Sequence, residues 1–212
     1  MPIFSPSFVV TVSPMTSRQN MAKREPGERR KEILQTLAHM LENPKGERIT
    51  TALLAAKLDV SEAALYRHFA SKAQMYEGLI EFIEETVFSL VNKIQAEETN
   101  GMTQVESIVT MLLSFAQKNQ GMTRVLIGDA LVIEDERLQS RMNQLHDRLE
   151  ASLRQSTRVA ATNGGLDSSL DPNAYANAVM SFIIGRWHQF AKSGFKRMPT
   201  ENLAQSLRVF AG

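Results

Sequence analysis

SEAALYRHFASK, residues 61–72, follows directly on RITTALLAAKLDV, residues 48–60. Two very short helical patterns lie here, TTALLAAKL (50–58) and SEAALYRHF (61–69), separated only by Asp59-Val60. Helices of this length do not persist alone, because nucleation fixes several residues before hydrogen bonding returns the cost. They survive by packing on each other and on a neighbouring helix, which is the helix-turn-helix arrangement. Ile49, Leu53, Leu54, Leu58, Val60, Leu65 and Phe69 are expected to form that small core. Leu65 and Phe69, four apart, turn inward, which leaves Glu62, Ala63, Tyr66 and Arg67 facing out.

An exposed tyrosine beside an arginine serves no buried partner, whereas a DNA duplex uses both. A reading helix places its N-terminal side chains at base edges. Tyr, His, Thr and Lys hydrogen-bond phosphates and fix register. Ser61 caps the helix and, with Glu62 and Ala63, is expected to lie deepest in the major groove. Arg67 suits a guanine edge or a phosphate equally. Thr50 and Thr51 cap the preceding helix within reach of phosphates, and Lys72 joins the positive N-terminus of the following one. Lys23, Arg24, Arg29 and Arg30 read as a basic arm for adjacent backbone or minor groove.

Outward from this segment the chain reads helical, with an apolar period of 3.6 between punctuation at 43–46, 100–101, 120–121 and 163–165. A first helix is expected at about 28–42, on Ile33, Leu34, Leu37, Ala38 and Leu41. A long one begins at Ser71, with Gln74 completing a capping box, and carries Met75, Leu79, Phe82, Ile83, Val87, Leu90, Val91 and Ile94 on one side. Thr103 with Glu106 predicts a second capping box. MTRVLIGDALVI (122–133) is apolar almost all round and should be internal. A charged helix at 134–162 has Leu138, Met142, Leu145, Leu149 and Leu153 at near-heptad spacing, which permits a coiled-coil pairing. Asp171-Pro172 opens another, and a last helix falls at about 200–211.

Composition limits the chemistry. The 212 residues contain no cysteine, so disulfides and thiolate sites are excluded. The four histidines, at 39, 68, 146 and 188, do not fall at metal-ligand spacing, and no nucleophile–base pair or phosphate-binding loop is present. No metal, cofactor or enzymatic activity is therefore expected. No apolar run reaches membrane-spanning length, and a cytoplasmic protein is expected. Residues 21–72 carry ten Lys/Arg against seven Asp/Glu, and residues 73–212 thirteen against sixteen. That is a mildly basic head on a mildly acidic body, suited to docking on phosphates through placed contacts. Residues 1–26 are expected to be a disordered extension and arm, with Met21 as an alternative start to Met1.

SEAALYRHFASK, with TTALLAAKLDV before it, resembles the signature of the TetR-type helix-turn-helix regulators through Val60, Ser61, Leu65, Tyr66, His68, Phe69 and Lys72. The resemblance implies an all-α homodimer with a three-helix DNA-binding domain at 27–72 and a larger helical dimerisation domain at 73–212. It implies DNA contacts from Thr50, Ser61 to Ala63, Tyr66, His68 and Lys72. The family usually has glycine where Asp59 stands, so Asp59 is expected in the left-handed region. Ala70 replaces a frequent proline, with little harm expected.

ERRKEILQTLAHMLE, LIEFIEE, SFAQKNQGMTRVL and ERLQSRMNQL narrow the likeness to the nucleoid-occlusion factors of that family, over roughly 27–156 and more weakly to about 200. That resemblance implies binding to specific chromosomal sites, a nucleoid location and, while DNA-bound, antagonism of the tubulin-like division GTPase FtsZ. Phe82 would anchor the partner, unless it is a core residue, and Lys118 and Asn119 would engage an acidic peptide. Leu90 stands where the pattern has a basic residue. The alternative is a ligand-responsive repressor, with Arg186, Trp187 and His188 as a small-molecule site. Against it, the small residues Ala174, Ala178, Ser181 and Gly185 suit a dimer interface, and no obligatory ligand is expected.

Overall fold

The computed structural model describes residues 27–42, 49–132 and 134–211. Expectations for the extension, the alternative start, Lys23 and Arg24 lie outside these residues. Within them the secondary structure is helical: α1 (Glu28–Glu42), α2 (Thr51–Lys57), α3 (Glu62–Tyr66), α4 (Lys72–Glu97), α5 (Gly101–Lys118), α6 (Gln120–Leu126), α7 (Glu136–Thr162), α8 (Pro172–Lys192) and α9 (Leu203–Ala211). No strand occurs among the described residues.

The starts of these helices are written in short polar side chains. Thr50, Ser61, Ser71, Asp135 and Asp171 each accept a backbone N–H of the following turn, which satisfies donors the helix itself leaves open. The box at Ser71 closes differently from its sequence pattern. Ser71 Oγ accepts the Gln74 N–H at 3.2 Å, but Gln74 Oε1 accepts from Ala70 N at 2.8 Å. The N–H that proline would lack is thus used. At the fifth helix the expectation fails: Asn100, not Thr103, is the cap, and its side chain accepts the Thr103 N–H.

The longest helices, α4, α5, α7 and α8, frame the body. α7 packs between α5 and α8, and its leucines at 138, 145, 149 and 153, with Met142, are wholly enclosed by the chain's own core. The near-heptad stripe is therefore consumed within the chain. α4 lays Met75, Leu79, Ile83, Val87 and Val91 into the same core. Each such side chain stabilises the fold by about 1.5–3 kcal/mol through burial. The buried polar residues Gln104, Thr123, Ser156 and Thr157 are each hydrogen-bonded, as close packing in low dielectric requires. Thr123 Oγ1 donates to the Ala116 carbonyl at 2.8 Å, Gln104 Nε2 to the Glu98 carbonyl at 2.7 Å, and Gln95 Nε2 to Ser156 Oγ at 3.1 Å.

The head, α1 to α3, shares this core instead of hanging from a linker. α1 packs on both α4 and α6. A Cβ on Gly121 would lie 1.9 Å from the Ala38 carbonyl oxygen, so only glycine lets α6 approach α1 this closely. Gly121 thus sits inside α6, not in the turn its sequence position predicts. The segment 122–133 is internal as expected up to Leu131, but Val132 is largely exposed.

Candidate nucleic-acid interface

The head places the sequence-predicted residues on two short helices and their caps. Leu54, Ala55, Leu65 and Phe69 are buried with Ile49, and Leu58 and Val60 are half-buried, so the small core forms. Leu53 does not belong to it: it is 44% exposed. A helix of seven residues turns one narrow stripe inward, and that stripe runs through Leu54 and Leu58, about 100° round from Leu53. Asp59 has φ 53°, the left-handed turn expected of it.

Outside this core lies the predicted polar set. Thr50 Oγ1 accepts the Leu53 N–H at 3.1 Å and Ser61 Oγ the Ala64 N–H at 3.3 Å, so both hydroxyls hold helix starts from exposed positions. Glu62, Ala63, Tyr66, Arg67 and His68 are exposed. A hydroxyl chain crosses between the helices. Tyr66 OH donates to Thr51 Oγ1 at 3.4 Å, and Thr51 Oγ1 donates to Glu62 Oε2 at 2.6 Å. The first bond is long and easily exchanged, so the Tyr66 proton remains usable toward a phosphate.

The structure corrects the arm expected of Arg29 and Arg30 and gives Lys72 a partner within the chain. Arg29 and Arg30 lie within α1, not in an arm. Arg29 pairs with Glu32 at 2.6 Å. Arg30 donates to the His68 carbonyl at 3.1 Å, and its guanidinium lies 4.2 Å from the centre of the Phe69 ring. Arg30 therefore ties the end of the reading segment to the first helix. Lys72, the first residue of α4, is 19% exposed and its ammonium pairs with Glu134, which is 7% exposed. Glu134 escaped the sequence reading because the pair spans 62 positions. No local spacing announces it.

The body presents the other predicted residues. Phe82 is half-buried against the core, Lys118 is exposed, and Asn119 joins α5 to α6 with Nδ2 donating to the Phe115 carbonyl at 2.8 Å. No hydrogen bond or ring contact joins Phe82 to Lys118 or Asn119 among the described residues. Their positions nevertheless correspond along the α4–α5 pair: Phe82 lies fifteen residues before the end of α4, and Lys118 seventeen after the start of α5.

Arg186, Trp187 and His188 do not converge, as consecutive helical residues point to different sides. Arg186 donates to the Glu201 carbonyl and to Ser206 Oγ, at 3.0 and 2.8 Å. Trp187 is fully buried within the chain, with Nε1 donating to the Leu112 carbonyl at 3.4 Å, and His188 is exposed. A surface cleft of about 590 Å³ runs between α8 and α9, past Arg186 but not past its two neighbours.

Comparison with known proteins agrees with this arrangement. Residues 46–79 match the family model described as bacterial regulatory proteins, tetR family. Residues 99–211 match the tetracyclin repressor-like, C-terminal domain of SlmA-like type. Nucleoid occlusion factor SlmA of Idiomarina loihiensis is 49% identical over 181 residues, covering 85% of this chain and 92% of that protein. The namesake from Alteromonas mediterranea is 50% identical over 182 residues, covering 86% and 93%. The chain belongs to the SlmA family. Among solved structures, the fatty acid degradation regulator FadR from Bacillus halodurans aligns with a TM-score of 0.74 at 14% identity, over 89% of this chain and 97% of that one. A TetR transcription regulator from Haloarcula marismortui aligns with a TM-score of 0.74 at 16% identity, over 87% and 97%. SlmA-family membership thus comes with a TetR-type fold, an N-terminal helix-turn-helix joined to a helical C-terminal domain.

Proposed function

We propose that this chain is a nucleoid occlusion factor that binds specific double-stranded DNA as a homodimer and, while bound, prevents an FtsZ-like division GTPase from assembling a ring over the chromosome. The observation that carries it is the exposed set on α2 and α3, from Thr50 to His68, in a chain about half identical to named nucleoid occlusion factors along nearly their whole length. Residues 27–72 form the DNA-reading head, and 73–212 the body that pairs two heads and presents a partner face. Thr50, Tyr66, His68 and Lys72 hold phosphates, Thr51 lies on the same face with its hydroxyl proton given to Glu62, Ser61, Glu62 and Ala63 approach the bases, and Arg67 extends either set.

Pairing uses α8, where Ala174, Ala178 and Ser181 are exposed and a Cβ at Gly185 would meet nothing within 4 Å. Small side chains there let two helices close on each other. Phe82, Lys118 and Asn119 receive the acidic tail of the GTPase, with the half-buried ring as anchor. DNA binding fixes a cytoplasmic, nucleoid-associated location. The protein performs no chemistry of its own and needs no small-molecule ligand.

Sedimentation of the division polymer tests this. With the protein and a specific duplex together, pelleted polymer should fall or change in form, and more so than with the protein alone. Equal pelleting in both arms, with DNA binding confirmed, would leave a DNA-binding regulator without a division role.

A further inference from the structure

We infer that Glu62 is the side chain that reads a cytosine in each half of the DNA site. The inference deepens the DNA-binding function proposed above and rests on it. Glu62 is the first residue of α3, immediately after the Ser61 cap, where the end of a reading helix meets base edges. Its neighbours offer less. Ser61 Oγ is engaged by the Ala64 N–H, and Ala63 has no polar atom.

The carboxylate is not a loose surface acid. Thr51, the first residue of α2, donates to Oε2 at 2.6 Å and is itself backed by Tyr66. No cation is paired with Glu62 among the described residues, and Arg30 on α1 is committed to His68 and Phe69. A fixed, unneutralised carboxylate directed at a polyanion is repelled unless it finds a donor. In the major groove the bases offer two donors, the amino groups of cytosine and adenine. Adenine sets an acceptor nitrogen beside its amino group, guanine presents two acceptors, and thymine presents one. Cytosine's amino group stands at the end of its pair with an acceptor, guanine O6, on one side only, whereas adenine's stands between two acceptors. Glu62 thus selects by exclusion as well as by its bond, and Thr51 is the positioning residue that aims it.

The test is selection of bound duplexes from a randomised pool with the full chain, followed by competition with single base-pair changes made in both half-sites. For the natural protein, one position per half-site should demand cytosine, with other bases binding about 5- to 150-fold more weakly. Glu62→Gln should move that one preference to adenine, which a carboxamide contacts through both its amino group and its ring nitrogen, leaving other positions unchanged. Thr51→Val should blunt discrimination at the same position alone, an effect that a purely structural tie between α2 and α3 would not produce. Identical base preferences for the natural protein and Glu62→Gln overturn the inference, as does a uniform rise in affinity on every duplex, which would mark Glu62 as a mere repulsive charge. Failure of the natural protein to select any duplex would instead overturn the DNA-binding function itself.

Discussion

Asp59 holds the turn between α2 and α3 at φ 53°, a conformation glycine adopts without the Cβ penalty other residues meet. Asp59→Gly is therefore expected to leave DNA affinity intact and to stabilise the fold by up to about 1 kcal/mol, seen as a higher midpoint in urea; a lower midpoint would show that the aspartate side chain supports the turn. The residue was legible because a glycine is usual there in the family. Phe195 and Asn202 also have positive φ, at 63° and 53°, and nothing in the sequence pointed to them. At Phe195 packing within the turn that closes α8, directly after Gly194 at φ 64°, accompanies it. Its N–H donates to the Phe190 carbonyl at 2.9 Å, and the two rings meet edge-on at 5.0 Å. Leu53 was misplaced for the converse reason: its hydrophobicity suggested burial, while the phase of a seven-residue helix decided exposure.

At the scale of elements, helix number and order were legible from the 3.6 period, whereas the contacts joining head to body were not. Gly121 is the clearest case. Its sequence neighbourhood reads as a turn, yet the glycine is required by the Ala38 carbonyl of a helix some eighty residues earlier. Gly101 is similar, since a Cβ there would lie 2.2 Å from Ala160 N; α5 begins at that residue, behind the Asn100 cap and ahead of the Thr103 box. Gly121→Ala should drive α6 from α1 and destabilise the protein by about 1–3 kcal/mol or more, measured by thermal unfolding, and an unchanged midpoint would show that α1 yields freely. The Lys72–Glu134 pair is the second tie. Being partly buried, it lies between surface pairs of negligible value and buried pairs whose breakage is severe. Glu134→Gln should cost about 1–3 kcal/mol of stability and, by releasing the ammonium to phosphate, tighten binding to every duplex alike. Weaker binding would mean that Glu134 aims Lys72 at the duplex instead of competing with it.

At the scale of the whole molecule, His146 is a largely enclosed base that the DNA and partner sites do not use. His146, on α7, has its ring centre 5.9 Å from that of Trp187, and its Nε2 is buried without a hydrogen-bond partner. Burial pushes the imidazole below its ordinary value of 6.5, and His188 adds to that; a hydrogen bond to the Leu126 backbone and the charge of Asp147 oppose it. Above about pH 6.5 both folded and unfolded chains hold His146 neutral, so it costs nothing. Below that value the unfolded chain binds the proton first, and stability falls until the lower native value is reached. The slope from this group approaches at most about 1.4 kcal/mol per pH unit. Denaturation between pH 7 and 5 should be less pH-dependent in His146→Phe than in the natural protein; parallel profiles would place the acid sensitivity elsewhere.

The central claim is that the α2–α3 face and the start of α4 grip a duplex, and duplex titrations across a range of salt concentrations test it most directly. Lys72→Gln should weaken binding to all sequences and reduce the slope of log affinity against log salt by about one, the loss of one phosphate contact. Tyr66→Phe should weaken binding comparably across sequences with the slope unchanged, because the lost hydroxyl carries no charge. If both variants kept the natural affinity and slope, this face would not be where DNA lies.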